Sequence, residues 1–185
     1  MKSLWREALV TATIFVLLVL GFTLVSLLVA PGPSKIGSAR PLATIPLHEV
    51  ELGGVALVLG ALALGVYGRG GAAVSVLLPS LVILLDLDHL PSFLGIAQPI
   101  RPAHSLVFLV LDVLITTIIL RRLDFGLVAV SAFTAHLGVD SGLAPPLSPF
   151  SFQYVQLDPY HVPLLLTSAA FAVAAGYLMR KGGKT

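Results

Sequence analysis

The sequence predicts an all-α fold: a polytopic transmembrane helical bundle of about six spans, or five if the first is removed. Three observations predict it. The chain of 185 residues is 57% hydrophobic and only 11% charged, where a soluble domain carries about 25% charged residues. The 23 residues from Ala8 to Ala30 contain no charge, which is long enough to cross a hydrocarbon core. Proline and glycine then divide the remainder into apolar runs, at Pro31-Gly32-Pro33, Arg69-Gly70-Gly71 and Pro145-Pro146.

Taken in order, residues 1–30 form an N-terminal transmembrane anchor, with a signal peptide as the alternative. Residues 31–47 are an outer linker. A membrane-embedded domain covers 48–180, with spans at 52–68, 72–88, 103–120, 125–140 and 161–179. A basic cytoplasmic tail occupies 181–185. The sequence has no cysteine, so disulfides and thiolate metal sites are excluded. It has no basic run interleaved with aromatics, so nucleic acid is not an expected partner.

Lysine and arginine bias sets sidedness. With six spans and the N-terminus inside, Lys2, Arg6, Arg69, Arg121, Arg122, Arg180, Lys181 and Lys184 face the cytoplasm. Only Lys35, Arg40 and Arg101 face outward. The expected location is therefore the plasma membrane, multi-pass, with both termini cytoplasmic.

This topology sends His48, His89, His104, His136 and His161 to the outer face. Glu49, Glu51, Asp86, Asp88, Asp140 and Asp158 go with them. Residues three or four apart share a helix face. Asp86 and His89 stand at i,i+3, and His136 and Asp140 at i,i+4. Each pair offers one oxygen and one nitrogen donor at the end of a span. Imidazole and carboxylate are the usual non-thiol ligands of zinc and manganese, and opposed helix pairs build metal sites in bundles. The ligand candidates are His48, Asp86, His89, His104, His136 and Asp140. Six donors suit two ions better than one.

These motifs, in order, resemble the YdjM-like family of inner-membrane metal-dependent hydrolases. The resemblance runs from His48 to Phe152. It rests on HEVELGG at 48–54, DLDH at 86–89, RPAHS at 101–105, HLGVDSG at 136–142 and SPFS at 148–151. Where the family often has His-Arg-Gly before its His-Ser pair, this chain has Ile100, Arg101 and Pro102. The resemblance implies a metal-dependent hydrolase.

Three further residues are assigned to the chemistry. Asp88 is either a ligand or a group that orients a histidine. Arg101 can hold a phosphate or carboxylate of a substrate by two hydrogen bonds. Ser105 is a nucleophile or, with more support, a helix cap. Asp112 lies about 12 Å along the helix from His104. It is read as facing the bundle, bonded to Thr116 or Ser131, with an ion path as the alternative. His161 and Asp158 are peripheral. HEVEL at 48–52 is not a zinc-protease motif, because position 52 is leucine.

The expected function is hydrolysis of an ester or phosphoester, in a lipid or envelope compound, at the outer membrane interface. Membrane lipid and an amphiphilic small molecule are the expected partners. A metal or proton transporter, and an assembly factor with a structural metal, are the alternatives.

Overall fold

A computed structural model describes residues 2–29, 45–67, 69–94, 96, 101–140, 143–151 and 153–182. The fold is all-α. The long helices are α1 (Lys2–Val29), α2 (Ile45–Tyr67), α3 (Arg69–Leu84), α5 (Leu106–Leu120), α6 (Leu123–Val139) and α7 (His161–Gly182). A one-turn helix, α4 (Leu90–Phe93), follows α3. Strands β1 (Leu143–Ala144) and β2 (Val155–Gln156) pair antiparallel, Leu143 opposite Gln156.

The connections explain the layout. α2 and α3 lie back to back as a hairpin. Leu52, Ala56 and Leu59 of α2 and Val74, Leu78 and Leu81 of α3 are buried at helical spacing. Gly60 permits the close approach, since a Cβ there would lie 2.6 Å from the Cα of Ser75. Backbone cannot yield as a side-chain tip can, so Gly60→Val is expected to cost about 1–3 kcal/mol. Thermal unfolding in detergent reads this, and an unchanged midpoint would contradict the close packing.

α6 is the central helix, packed against α2, α3, α5 and α7. Ala129, Ala132, Ala135 and Gly138 are buried along it, and small residues let helix backbones approach. Ser131 and Ser168 bond α6 to α7 reciprocally. Ser131 Oγ donates to the Ser168 carbonyl at 2.9 Å and Ser168 Oγ to the Ser131 carbonyl at 2.7 Å.

α1 belongs to this core. Its Phe15 and Phe22 meet Phe108 of α5 edge-on, at centroid distances of 5.3 and 5.6 Å. Near its N-terminus, Glu7 accepts from Arg122, which also bonds Asp124 at the start of α6. The ion pair fixes the first turns of α1 beside the α5–α6 connection. The opposite face of α1 leaves Leu9, Leu17 and Leu28 exposed.

Among the described residues, two helical stretches are long and apolar enough to cross a membrane: Leu4–Val29 and Asp158–Lys181. The apolar stretches Val50–Ala61, Leu106–Leu120 and Leu123–Val139 are shorter. The 15 residues of α5 extend about 22 Å at 1.5 Å per residue, against about 30 Å of hydrocarbon. Two boundaries differ from the sequence expectation. The run 72–88 stops being α-helical at Leu84 and tightens into a 3-10 turn, Leu85–His89. The run 103–120 starts only at Leu106, after a 3-10 turn at Pro102–His104. Proline fixes φ at Pro102, and extended backbone at Ser105 separates that turn from α5.

Candidate metal centre

The two 3-10 turns and the C-terminal end of α6 meet at one end of the bundle, and α1 packs against both turns. A 3-10 turn repeats every three residues, so Asp86 and His89 stay on one edge although the α-helix has ended. His89 Nε2 is 3.3 Å from Asp86 Oδ1. Asp140 lies just past α6 in extended backbone, and its N–H donates to the His136 carbonyl at 2.9 Å.

Two histidines have their tautomers set by their surroundings. His136 Nδ1 lies 2.8 Å from the Val82 carbonyl of α3. A carbonyl only accepts, so Nδ1 carries the proton. His104 Nδ1 lies 2.9 Å from Asp88 Oδ2, which also accepts the Ala103 N–H at 3.2 Å. Both Nε2 atoms therefore point inward with lone pairs, and they face each other at 2.9 Å. Two lone pairs at that distance repel unless a cation lies between or beside them.

Around this pair stand the carboxylates. Asp86 Oδ1 is 3.5 Å from His136 Nε2 and 3.9 Å from His104 Nε2. Asp140 Oδ2 is 3.9 Å from His104 Nε2. Donors bound to one tetrahedral zinc at 2.0–2.1 Å are about 3.4 Å apart. The His104–His136, Asp86–His136, Asp86–His104 and Asp140–His104 separations are each within about 1 Å of that spacing. Among the described residues, two overlapping groups could hold a metal: Asp86, Asp88, His89 and His104, and His104, His136 and Asp140.

Charge supports the same reading. The turns and the residue after α6 lie beyond the helices, and burial is the largest influence on Asp86, Asp88, His104 and Asp140. Burial pushes the Asp88 carboxyl up to about 6, against the pull of His89 and Arg101. Burial holds His104 well below the usual imidazole range, with Arg101 and His136 acting the same way. For Asp86 burial raises the pKa, but His136, His89, His104 and Arg101 outweigh it and hold the group ionised. For Asp140 burial is likewise outweighed, by Arg101, His104 and His136. Among the described residues the carboxylates of Asp86, Asp88 and Asp140 gather here around the guanidinium of Arg101 and the rings of His104 and His136. A divalent ion would favour the ionised form of each carboxylate.

Arg101 is placed differently from the sequence expectation. Its guanidinium donates to Asp140 Oδ2 and to His104 Nε2, and lies 3.6 Å from Asp86 Oδ1. In this arrangement the fork is engaged by protein acceptors. Ser105 is buried, and its Oγ accepts the Phe108 N–H at 3.1 Å as the N-cap of α5. This is the contact of the capping alternative. Asp112 is buried mid-helix with Thr116 Oγ1 at 3.5 Å. Of the two hydroxyls expected to bond it, Thr116 does so, while Ser131 pairs with Ser168.

His161 Nδ1 donates to the Gly138 carbonyl at 2.8 Å, and its Nε2 is 3.5 Å from Asp158. His48 sits in the first turn of α2, and its side chain lies outside the described residues. Three contributors carried no signal in the sequence. The Val82 carbonyl and the Ala103 N–H are backbone groups. Tyr154, after the hairpin turn, lies close enough to Arg101 to feel its charge.

No protein-family model, curated protein or solved structure matches the chain.

Proposed function

We propose that the chain is a six-span membrane protein whose outer face carries a divalent metal centre that hydrolyses an ester or phosphoester of an amphiphile. The observation that carries this is the facing pair of Nε2 atoms at 2.9 Å, each turned inward by an acceptor behind its ring. The ordered DLDH, RPAHS and HLGVDSG segments, similar to those of the YdjM-like hydrolases, support the reaction class.

In this reading α1, α2, α3, α5, α6 and α7 span, with both termini in the cytoplasm, as the charge bias favours. α1 measures about 42 Å against about 22 Å for α5. The centre at the end of the shorter helices is thereby recessed to headgroup depth, or the bilayer thins around it. A recessed site favours a lipid-like substrate that approaches along the membrane.

His104, His136, Asp86 and Asp140 are the inner donors, and His89 is the outer one. Asp88 and the Val82 carbonyl hold the two rings in the tautomer that ligation needs. The side chains of His104, His136 and Asp140 are fully buried, whereas Asp86 is 11% and His89 23% exposed. That graded exposure suits a centre with one open side, as catalytic sites have, rather than a closed structural one. Zinc or manganese, as one or two ions, would act there as a Lewis acid that polarises the scissile group.

The test is turnover of generic p-nitrophenyl esters and phosphoesters by the purified protein with added zinc or manganese. Chelator-sensitive turnover that survives Asp112→Asn is expected. Ion flux in liposomes that depends on Asp112 would favour the transporter. Bound metal with no turnover on any ester would favour an assembly factor with a structural metal.

A further inference from the structure

The guanidinium of Arg101 touches the same atoms that a metal would take. It donates to Asp140 Oδ2 and His104 Nε2, and approaches Asp86 Oδ1 to 3.6 Å. A metal and a guanidinium cannot both hold those lone pairs at close range. His104 Nε2 has a single lone pair in the plane of its ring, so the competition there is strict. Arg101 is also the cation with a way out. Its side chain is 18% exposed, while that of Asp140 is 0% exposed. It stands at the N-cap of the Pro102–His104 turn, outside the long helices.

We propose that Arg101 exchanges partners: in the metal-free protein it occupies the donors of the centre, and in the loaded protein it turns to the mouth and binds the anionic group of the substrate. The proposal rests on the metal reading above. In the metal-free protein Arg101 holds Asp140 Oδ2 and His104 Nε2. When the donors take up a divalent ion, Arg101 loses His104 Nε2 and Asp140 Oδ2 together. Its N–H donors are then released from those acceptors. A planar fork in that position matches two oxygens of a phosphate or carboxylate. The exchange makes the loaded state, and only that state, a receptor for an anion. An amphiphile with a phosphate or carboxylate near its scissile bond is the substrate class that this selects.

The experiment is zinc titration of wild type, Arg101→Ala and Arg101→Gln, in competition with a chromophoric chelator. Titration of each zinc-loaded protein with inorganic phosphate follows. Removing the competing cation is expected to tighten zinc about tenfold, within the 5–150-fold range of coupled sites. The loaded variants should bind phosphate about tenfold more weakly than loaded wild type. Helicity by circular dichroism checks that the variants fold, and the glutamine variant keeps a donor for Asp140 if alanine does not fold. Equal or weaker zinc binding in both variants would overturn the exchange and leave the metal centre standing. Tighter zinc with unchanged phosphate affinity would overturn the anion role. If no protein binds zinc, the metal reading falls, and the exchange falls with it.

Discussion

Replacing His136 by alanine is expected to abolish metal binding, lowering affinity by more than about a hundredfold, since loss of even an outer-shell partner costs 10–100-fold. His136 supplies the Nε2 that faces His104 at 2.9 Å and stands 3.5 Å from Asp86. Without it the inner donors fall to one ring and carboxylates on its far sides. The fold should survive. The substitution also removes the hydrogen bond to the Val82 carbonyl, and taking a partner from a buried acceptor costs about 1–3 kcal/mol. The buried apolar faces of α3 and α6 are untouched. Metal content per chain should therefore drop while helicity and recovery from the membrane stay near wild type. Asp158→Ala is the control, because Asp158 is 57% exposed and pairs with His161. Equal metal content in His136→Ala and wild type would remove His136 from the centre.

The second large effect belongs to a residue that need not touch the metal. Asp88 is fully buried, and one of its oxygens accepts both the His104 Nδ1–H and the Ala103 N–H. Asp88→Ala leaves two buried donors without an acceptor and frees the His104 ring to change tautomer. A loss of about 10–100-fold in metal affinity is expected. Asp88→Asn is the informative companion. Its amide oxygen can accept from the same two donors, so the ring stays oriented while the charge is lost. Zinc affinity should then rank wild type, Asn, Ala. If Asn and Ala are equally impaired, the charge of Asp88 matters and its geometry does not, which fits direct ligation.

Much of the centre was legible in the chain because it is built from local spacing. Asp86 with His89, and His136 with Asp140, are each within four residues, and helical periodicity alone brings such pairs together. Asp86 and His89 meet even though they sit in a 3-10 turn, since i and i+3 coincide there as well. The grouping of His104 with both pairs followed from counting spans. What the sequence did not carry is long-range or lacks a side chain. Asp88 and His104 are 16 positions apart, and His136 and the Val82 carbonyl are 54 apart. The engagement of Arg101 depends on the side-chain path across 39 residues to Asp140. Hydropathy also marked α1 as an appended anchor. It could not show that Phe15 and Phe22 close around Phe108, or that Glu7 meets Arg122. The lengths of the inner spans were overstated because polar turn residues at 85–89 and 102–105 read as helix ends rather than as separate turns.

The most direct measurement is an anomalous-scattering map from crystals of the protein loaded with zinc, collected at the metal absorption edge. A peak is expected about 2.1 Å from both His104 Nε2 and His136 Nε2, with a carboxylate oxygen of Asp86 or Asp140 as a further ligand and Arg101 turned away. A map with no peak at that position, and Arg101 still bonded to Asp140 and His104, would contradict the account and make the cluster a buried ion-pair network.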